Sequence, residues 1–227
     1  MHLSTICRTI HTLGFTRQKL RKTALQRSQE KHGEFLAEIA CLDPNMFVWL
    51  DETGYDHHNN IRRYGYGLSG MTPVDHQLHI GGKRVSAIGV ISMRGVEDVY
   101  IHDGTVNGDV FEGFYLYNTS FHTAAFQWYS RSVVVLDNAS IHHLDRIQDI
   151  IHSSGALVRF VPPYSPDLMP LEVFSKIKYF IKANEHIFLT TSSPRLLIAM
   201  AFASVTHGDC ISYIRHAGYI YQCHVSE

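Results

Sequence analysis

Two stretches of the chain are continuously apolar and end on an aspartate. They read FVWLD at Phe47–Asp51 and VVVLD at Val133–Asp137. Such runs, in which polar residues do not alternate with apolar ones, are typical of strands that a sheet buries on both faces. We therefore predict one strand over residues 46–51, followed by a turn at Glu52-Thr53-Gly54, and a second strand over residues 133–137.

The pattern along the rest of the chain predicts a mixed α/β sheet with helices packed on it. In chain order it gives three strands, then a helix, a strand, a helix, a strand and a helix. The helix that starts at Pro170 carries apolar residues on two faces and is predicted to be mostly buried. The other predicted strands cover residues 83–93, 96–101 and 157–161, and the other predicted helices cover residues 109–127, 142–152 and 193–205.

The N-terminal segment has helical spacing. Apolar residues at positions 3, 6, 10 and 13 predict a short amphipathic helix that stops at Gly14. It suits the last helix of a helix-turn-helix, whose earlier helices would lie upstream, so we expect the chain to begin inside a domain. A second helical stretch, residues 27–41, is predicted to link this segment to the main domain.

The same N-terminal segment is strongly basic, although the formal net charge of the whole chain is only −1. A basic arm on an acidic body is a common way to hold a polyanion. A solvated helix face explains the charge equally well. The basic residues up to position 31 are Arg8, Arg17, Lys19, Arg21, Lys22, Arg27 and Lys31, and the single acid is Glu30.

Composition limits the classes of protein to which the chain can belong. Its 227 residues are 45% hydrophobic and 18% charged, enough for one well-buried domain plus an appendage. The four cysteines are scattered, so we expect neither a disulfide framework nor a structural zinc site. No apolar stretch reaches the ~20 residues that span a bilayer. We expect a soluble intracellular protein with no membrane partner, nuclear in a eukaryote and otherwise cytoplasmic.

Glu172 is a third acid that could act together with the two strand-end aspartates. Strand ends in open α/β folds form the edge where ligands bind, so we expect Asp51 and Asp137 side by side. Two such carboxylates ionise together only if a cation neutralises them. Hard oxygen ligands without cysteine favour Mg²⁺ or Mn²⁺. Glu172 lies in the first turn of the helix that follows a proline-rich loop, and it would be the third ligand. Alternatively, the two aspartates simply start turns.

Other polar residues could serve the same site, but a structural role explains each of them as well. His142 and His143 could touch DNA or a metal, although a helix-start or packing role is the stronger interpretation. Asp167 is expected to cap the helix that starts at Pro170. Asp56, His57 and His58 are interpreted as loop residues, and Lys83 and Arg84 as exposed residues or phosphate contacts.

Three motifs contain the acids: LDETG at Leu50–Gly54, LDNASIHH at Leu136–His143 and PPYSPDLMPLE at Pro162–Glu172. They resemble the acidic motifs of Tc/mariner-type transposases and, more closely, the DDE superfamily endonuclease domain shared with bacterial insertion-sequence transposases. The 34 residues between the second and third acids match that family. The resemblance covers about Ser4 to Tyr219.

This resemblance implies an RNase H-like fold and catalysis by Asp51, Asp137 and Glu172, which would hold two Mg²⁺ or Mn²⁺ ions. It implies strand cleavage at terminal inverted repeats and integration into target DNA by 3′-hydroxyl attack. A homodimer is expected because transposition pairs two ends. The residues expected to bind DNA are Arg8, Arg17, Lys19, Arg21, Lys22 and Lys176.

The expected organisation is a helix-turn-helix remnant (1–26), a helical linker (27–45), the catalytic domain (46–190) and a C-terminal helix and tail (191–227). The chain departs from the family at Met169, where asparagine is usual. It departs again at Val173, which directly follows Glu172. A deletion there would turn the rest of the helix by ~100°. The second interpretation is therefore a catalytically impaired, transposase-derived DNA-binding or interaction protein. A nuclease acting on RNA–DNA hybrids and a glycosidase are weaker alternatives.

Overall fold

The computed structural model of the chain describes residues 3–16, 26–55, 69–72, 84–117, 133–143, 145–184 and 194–220. Within these residues the chain forms five strands and seven α-helices. The strands are β1 (Phe47–Tyr55), β2 (Val85–Ser92), β3 (Gly95–Asp103), β4 (Val133–Leu136) and β5 (Leu157–Phe160). The helices are α1 (Leu3–Thr12), α2 (Gln29–Ala40), α3 (Gly108–Tyr117), α4 (Asp145–Ser153), α5 (Glu172–Ala183), α6 (Pro194–Ala203) and α7 (His207–His216).

The five strands form one mixed sheet in the order β3-β2-β1-β4-β5. The β1–β2 and β2–β3 pairs are antiparallel, and the β1–β4 and β4–β5 pairs are parallel. In the β1–β4 pair, Phe47 faces Val133 and Trp49 faces Val135. Continued by two residues, this register brings Asp51 level with Asp137. The predicted mixed α/β sheet is confirmed.

Alternate residues of β1 enter two hydrophobic cores, one on each face of the sheet. Phe47 and Trp49 pack with α2, α5, α6 and α7. Val48 and Leu50 pack with α3 and α4 on the opposite face. The apolar run is continuous because helices cover both faces of the strand. The same alternation directs Asp51 toward the α5 face and Glu52 toward the α3 face.

β1 is longer than the pattern predicts. The turn expected at Glu52-Thr53-Gly54 is part of the strand, because β2 pairs with β1 without interruption from Val48 to Tyr55. This pairing buries Thr53, which is only 6% exposed. The turn prediction was wrong because the strand continues through a hydrogen-bonding partner that is distant in the sequence.

Two helices on the C-terminal side of the sheet start later than predicted. Residues Ser140–His142 form a 3₁₀ turn, and α4 follows at Asp145. α5 starts at Glu172, two residues after Pro170. The expectation that this helix is mostly buried was also wrong, because Tyr179 on its outer face is 75% exposed.

The last part of the chain holds two helices where one was predicted. α6 ends at Ala203, and a capping box formed by Thr206 and Asp209 starts α7. Among the described residues no single helix is long and apolar enough to cross a membrane, although α6 and α7, bent by 75° at the break between them, would together meet that length and composition.

The two helices predicted near the N-terminus, α1 and α2, are present. The predicted loop after β1 and the end of the helix predicted over residues 109–127 lie largely or wholly outside the described residues. Six predicted loop or DNA-binding residues do so as well: Arg17, Lys19, Arg21, Lys22, His57 and His58. Asp56 and Lys83 are outside them too.

Gly89 in β2 offers a test of the packing that supports the site, because it faces Asp51 across the β1–β2 pair. A Cβ at Gly89 would lie 2.7 Å from a ring carbon of Phe202 and 3.2 Å from one of Phe174. We expect Gly89→Ala to lower the free energy of unfolding by about 1–3 kcal/mol, as overpacked core substitutions do. Urea unfolding followed by tryptophan fluorescence measures this change.

Gly33→Ala is the matched control, because a Cβ at this position in α2 would meet no atom within 4 Å. Alanine is favoured over glycine inside a helix, so this variant should gain up to ~1 kcal/mol. A Gly89→Ala protein as stable as the wild type would contradict the close packing of Phe202 on β2.

Candidate metal centre

Asp51 and Asp137 lie together at the edge where the parallel part of the sheet ends. Asp137 is the first residue after β4, and Asp51 is inside β1 beside it. Both line a cleft of about 470 Å³, which the loop Pro162–Pro166 also lines. Asp51 was predicted to be the last residue of its strand, but β1 continues to Tyr55. The predicted position of Asp51 beside Asp137 is correct, because the parallel register of β1 and β4 sets it.

The pKa of Asp51 is raised from 3.8 to about 7. The largest cause is its burial, and the nearby carboxylates of Glu52 and Asp137 add to it. A hydrogen bond from the Glu52 amide to Oδ1, 2.8 Å long, offsets only part of this effect. Burial therefore disfavours the charged form of Asp51, and a cation in the cleft would stabilise that form.

His142 joins one of the two acids of the cleft, Asp137, to Glu52. Its side chain is fully buried, with Nδ1 2.7 Å from Asp137 Oδ1 and Nε2 2.7 Å from Glu52 Oε1. Burial alone would lower the pKa of His142, but its hydrogen bonds to Asp137 and Glu52 and their charges raise it to about 10. The hydrogen bond from His142 in turn lowers the pKa of Asp137.

The sequence left His142 between packing and a direct contact with DNA or metal, and the structure gives it a hydrogen-bonding role. His143, the next residue, stacks on Phe160 with 4.2 Å between ring centres and bonds Asn138. Glu52 was missed because it was assigned to a turn. The signal that could have found it is the pair Asp51-Glu52 itself, since adjacent strand residues point to opposite faces.

Glu172 does not line the same cleft. It is the first residue of α5 and lines an adjoining cleft of about 670 Å³, where its Oε1 lies 2.8 Å from His216 Nδ1 of α7. Leu171 and Met169 line both clefts. Within the described part of the chain, no group of three or more His, Cys, Asp and Glu residues is arranged to hold a metal ion.

The position of Glu172 follows from the packing of α5. Val173 and Ile177 are fully buried against the sheet, so the core fixes the rotation of the helix about its axis. Successive helical residues point about 100° apart. Glu172 is therefore turned away from the direction of Val173 and meets the imidazole of His216.

Two other predicted site residues, Asp167 and Lys176, have protein partners. Asp167 pairs with Arg27 at 3.1 Å and His32 at 3.4 Å, so it ties the start of the linker to the proline loop. It does not cap α5, whose N-cap residue is Leu171. Lys176 lies 2.5 Å from the carboxylate of Asp209.

Hydrogen bonds from Lys176 and from the side chain and amide of Thr206 lower the pKa of Asp209 to about 2. Arg8 is exposed on α1, and Arg84 is exposed at the start of β2. The predictions that Arg8 and Lys176 bind DNA stay predictions.

The donor groups of the cleft fit a hard divalent cation in part. Asp51 and Asp137 supply carboxylate oxygens of the type that Mg²⁺ prefers, and the pKa of Asp51 is raised by its burial and by the carboxylates of Glu52 and Asp137. Glu172 would have to leave His216 to join them.

Comparison with known proteins agrees with this reading of the fold. Residues 46–191 match the family model described as "DDE superfamily endonuclease". Comparison with curated proteins finds no match. The Mos1 mariner paired end complex with Mn has a similar fold, with a TM-score of 0.66 and 16% identity over 95% of this chain and 67% of that chain.

Two further solved structures are similar. The catalytic domain of Mos1 mariner transposase matches with a TM-score of 0.58 and 16% identity over 90% of this chain and 93% of that chain. The same catalytic domain with Raltegravir and Mg matches with a TM-score of 0.57 and 16% identity, over 88% and 92% of the two chains.

The sheet and its flanking helices thus define an RNase H-like fold of the kind found in Mos1 transposase. Within that class, the match over residues 46–191 shows that the chain belongs to the DDE superfamily endonuclease family. The family expected from the three acidic motifs is confirmed.

The raised pKa of Asp51 predicts a dependence of stability on pH. The folded protein keeps a proton on Asp51 up to about pH 7, whereas the unfolded chain releases it near 3.8. Stability is therefore lost as the pH rises between these values. Asp51→Asn cannot ionise, so without metal we expect it to nearly match the wild type at about pH 4 and exceed it by roughly 4 kcal/mol at about pH 8.

Urea unfolding in the presence of a chelator, at a series of pH values, measures this difference. Asp149→Asn is the control, because Asp149 is exposed on α4 and its substitution should give no gain that depends on pH. A constant difference between Asp51→Asn and the wild type across the pH range would contradict the buried charge.

Proposed function

We propose that the chain is the catalytic part of a DNA transposase that cuts and joins DNA strands with Mg²⁺ or Mn²⁺. Membership of the DDE superfamily endonuclease family supports this proposal, as does a fold similar to that of Mos1 transposase. The observation that carries it is the pairing of Asp51 and Asp137 in one cleft, where the pKa of Asp51 is raised by burial and neighbouring carboxylates.

The proposed reaction is phosphodiester cleavage followed by strand transfer. Water attacks phosphorus and the P–O bond to the 3′ oxygen breaks, which frees a 3′-hydroxyl. That hydroxyl then attacks a target phosphodiester, so one P–O bond forms as another breaks and no covalent enzyme intermediate is needed. Two bound divalent cations would act as Lewis acids for the attacking and leaving oxygens. Asp51, Asp137 and Glu172 would hold them, and the cleft would position the DNA backbone.

Glu172 would complete this trio only after it changes partner. Its contact with His216 is at the surface, where the two side chains are 40% and 78% exposed. Exposed ion pairs contribute about 0–1 kcal/mol. A cation in the cleft occupied by Asp51 and Asp137 could therefore draw Glu172 away from His216 at little cost.

The partner would be DNA, as terminal inverted repeats and as target, and a homodimer would pair two ends. Mos1 structures of a paired end complex and a pre-cleavage transpososome support this proposal. The basic segment with Arg8, Arg17, Lys19, Arg21 and Lys22 would hold phosphates. Lys176 would contribute only where DNA phosphate displaces Asp209.

The second candidate is a catalytically impaired DNA-binding or interaction protein derived from a transposase. The contact that favours it is the one between Glu172 and His216, which leaves the third acid outside the cleft of the other two. This candidate predicts DNA binding without strand cleavage.

Nicking of supercoiled plasmid DNA in the presence of Mn²⁺ separates these two candidates. We expect the wild-type protein to nick the plasmid and Asp137→Ala to lose at least about 100-fold in rate, because an essential cation ligand is removed. Asp149→Ala, with a substitution on the exposed face of α4, is the control. Equal rates for the wild type and Asp137→Ala would reject the enzymatic proposal and favour the impaired protein.

Removal of His216 tests whether its contact holds Glu172 away from the cleft. We expect His216→Ala to raise the affinity for Mn²⁺ by up to about fivefold, the equivalent of about 1 kcal/mol for an exposed pair. Glu172→Gln should lower the affinity in both backgrounds. Isothermal titration calorimetry measures the binding, and His207→Ala at the exposed start of α7 is the control. If Glu172→Gln binds Mn²⁺ as the wild type does, Glu172 is not a ligand.

A further inference from the structure

Each of the two acids in the cleft has one oxygen occupied by the protein. Asp51 Oδ1 accepts the Glu52 amide at 2.8 Å. Asp137 Oδ1 accepts the Ala139 amide at 3.0 Å and lies 2.7 Å from His142 Nδ1. Within the described residues, neither Oδ2 atom takes part in a hydrogen bond. Among the described residues, both carboxylates therefore have one bound oxygen and one open oxygen.

Glu52 is connected to both of these occupied oxygens. Its backbone N–H donates to Asp51, while its carboxylate lies 2.7 Å from His142 Nε2, whose other nitrogen contacts Asp137. One residue of β1 thus restrains both acids, the first directly and the second through the imidazole. Strand alternation makes this possible, because Asp51 and Glu52 point to opposite faces of the sheet.

The imidazole of His142 has little freedom to move. It is fully buried, and its ring centre lies 4.6 Å from that of Phe111 in α3. Both nitrogens are engaged with carboxylates, so the orientation of the ring is fixed by two contacts and by packing. An immobile imidazole can hold the Asp137 carboxylate in a single orientation.

We propose that Glu52 and His142 are positioning residues that present Oδ2 of Asp137, together with Oδ2 of Asp51, to the cation. This inference deepens the proposed function and rests on it. Glu52 itself is not a ligand, although it is adjacent to Asp51, because its carboxylate is engaged by His142 on the α3 face of the sheet. Partners of this kind orient metal ligands, and their loss typically lowers metal affinity 10–100-fold.

Two substitutions of His142 distinguish positioning from simple packing. In His142→Asn the amide nitrogen takes the place of Nδ1 and can still donate to Asp137. In His142→Gln it takes the place of Nε2 and can reach only Glu52. Both variants remove the ring from Phe111, so a packing role would affect them alike. His143→Ala is the control, because the neighbouring imidazole contacts Asn138 and Phe160 instead.

The experiment measures Mn²⁺ binding to the full chain by titration calorimetry and by the loss of the free-ion electron paramagnetic resonance signal. Circular dichroism establishes that each variant is folded. We expect His143→Ala to bind within about threefold of the wild type. His142→Asn keeps the contact with Asp137 but loses the one with Glu52, so we expect it to bind more weakly than the wild type but by less than about tenfold. We expect His142→Gln and His142→Ala to bind at least about tenfold more weakly.

Two outcomes overturn the inference, and they are distinguishable. If the wild type binds Mn²⁺ and Asp137→Ala does not, while the Asn and Gln variants bind equally, then His142 does not position Asp137. The proposed function stands in that case. If the wild type and Asp137→Ala both fail to bind, the proposed function fails together with this inference.

Discussion

The parallel pairing of β1 with β4 is the constraint on which the site depends. Its register brings two aspartates level at the point where β4 ends, and the packing around β1 buries Asp51. Burial of Asp51, together with repulsion by the neighbouring carboxylates of Glu52 and Asp137, raises its pKa to about 7. The site relieves this repulsion on one side through His142, and a cation in the cleft would relieve it on the other.

The hydrophobic core also decides where the third acid goes. α5 is oriented by the burial of Val173 and Ile177, and the contribution of two such side chains exceeds that of one exposed ion pair. The rotation of α5 that buries these two side chains therefore places Glu172 beside His216. Completion of the proposed trio would require Glu172 to leave His216.

Similarity to Mos1 transposase at 16% identity shows which features of this fold are insensitive to sequence. Strand order and the alternation of buried residues can be met by many apolar sequences of similar volume. Side-chain contacts such as those of Glu52 with His142 and Asp167 with Arg27 depend on particular residues. Such side-chain contacts therefore cannot be inferred from the fold alone.

Local pattern in the sequence determined the buried strands, the mixed sheet and the neighbouring Asp51 and Asp137, because burial on both faces leaves a continuous apolar run. The extension of β1 through Glu52 could not be predicted in this way, since its partner is the remote strand β2. The contacts of His142 with Glu52 and of His216 with Glu172 join residues 90 and 44 positions apart. Only the tertiary structure decided them, because hydrophobic periodicity encodes which face of an element is buried, whereas the partner of a polar side chain depends on how distant elements pack together.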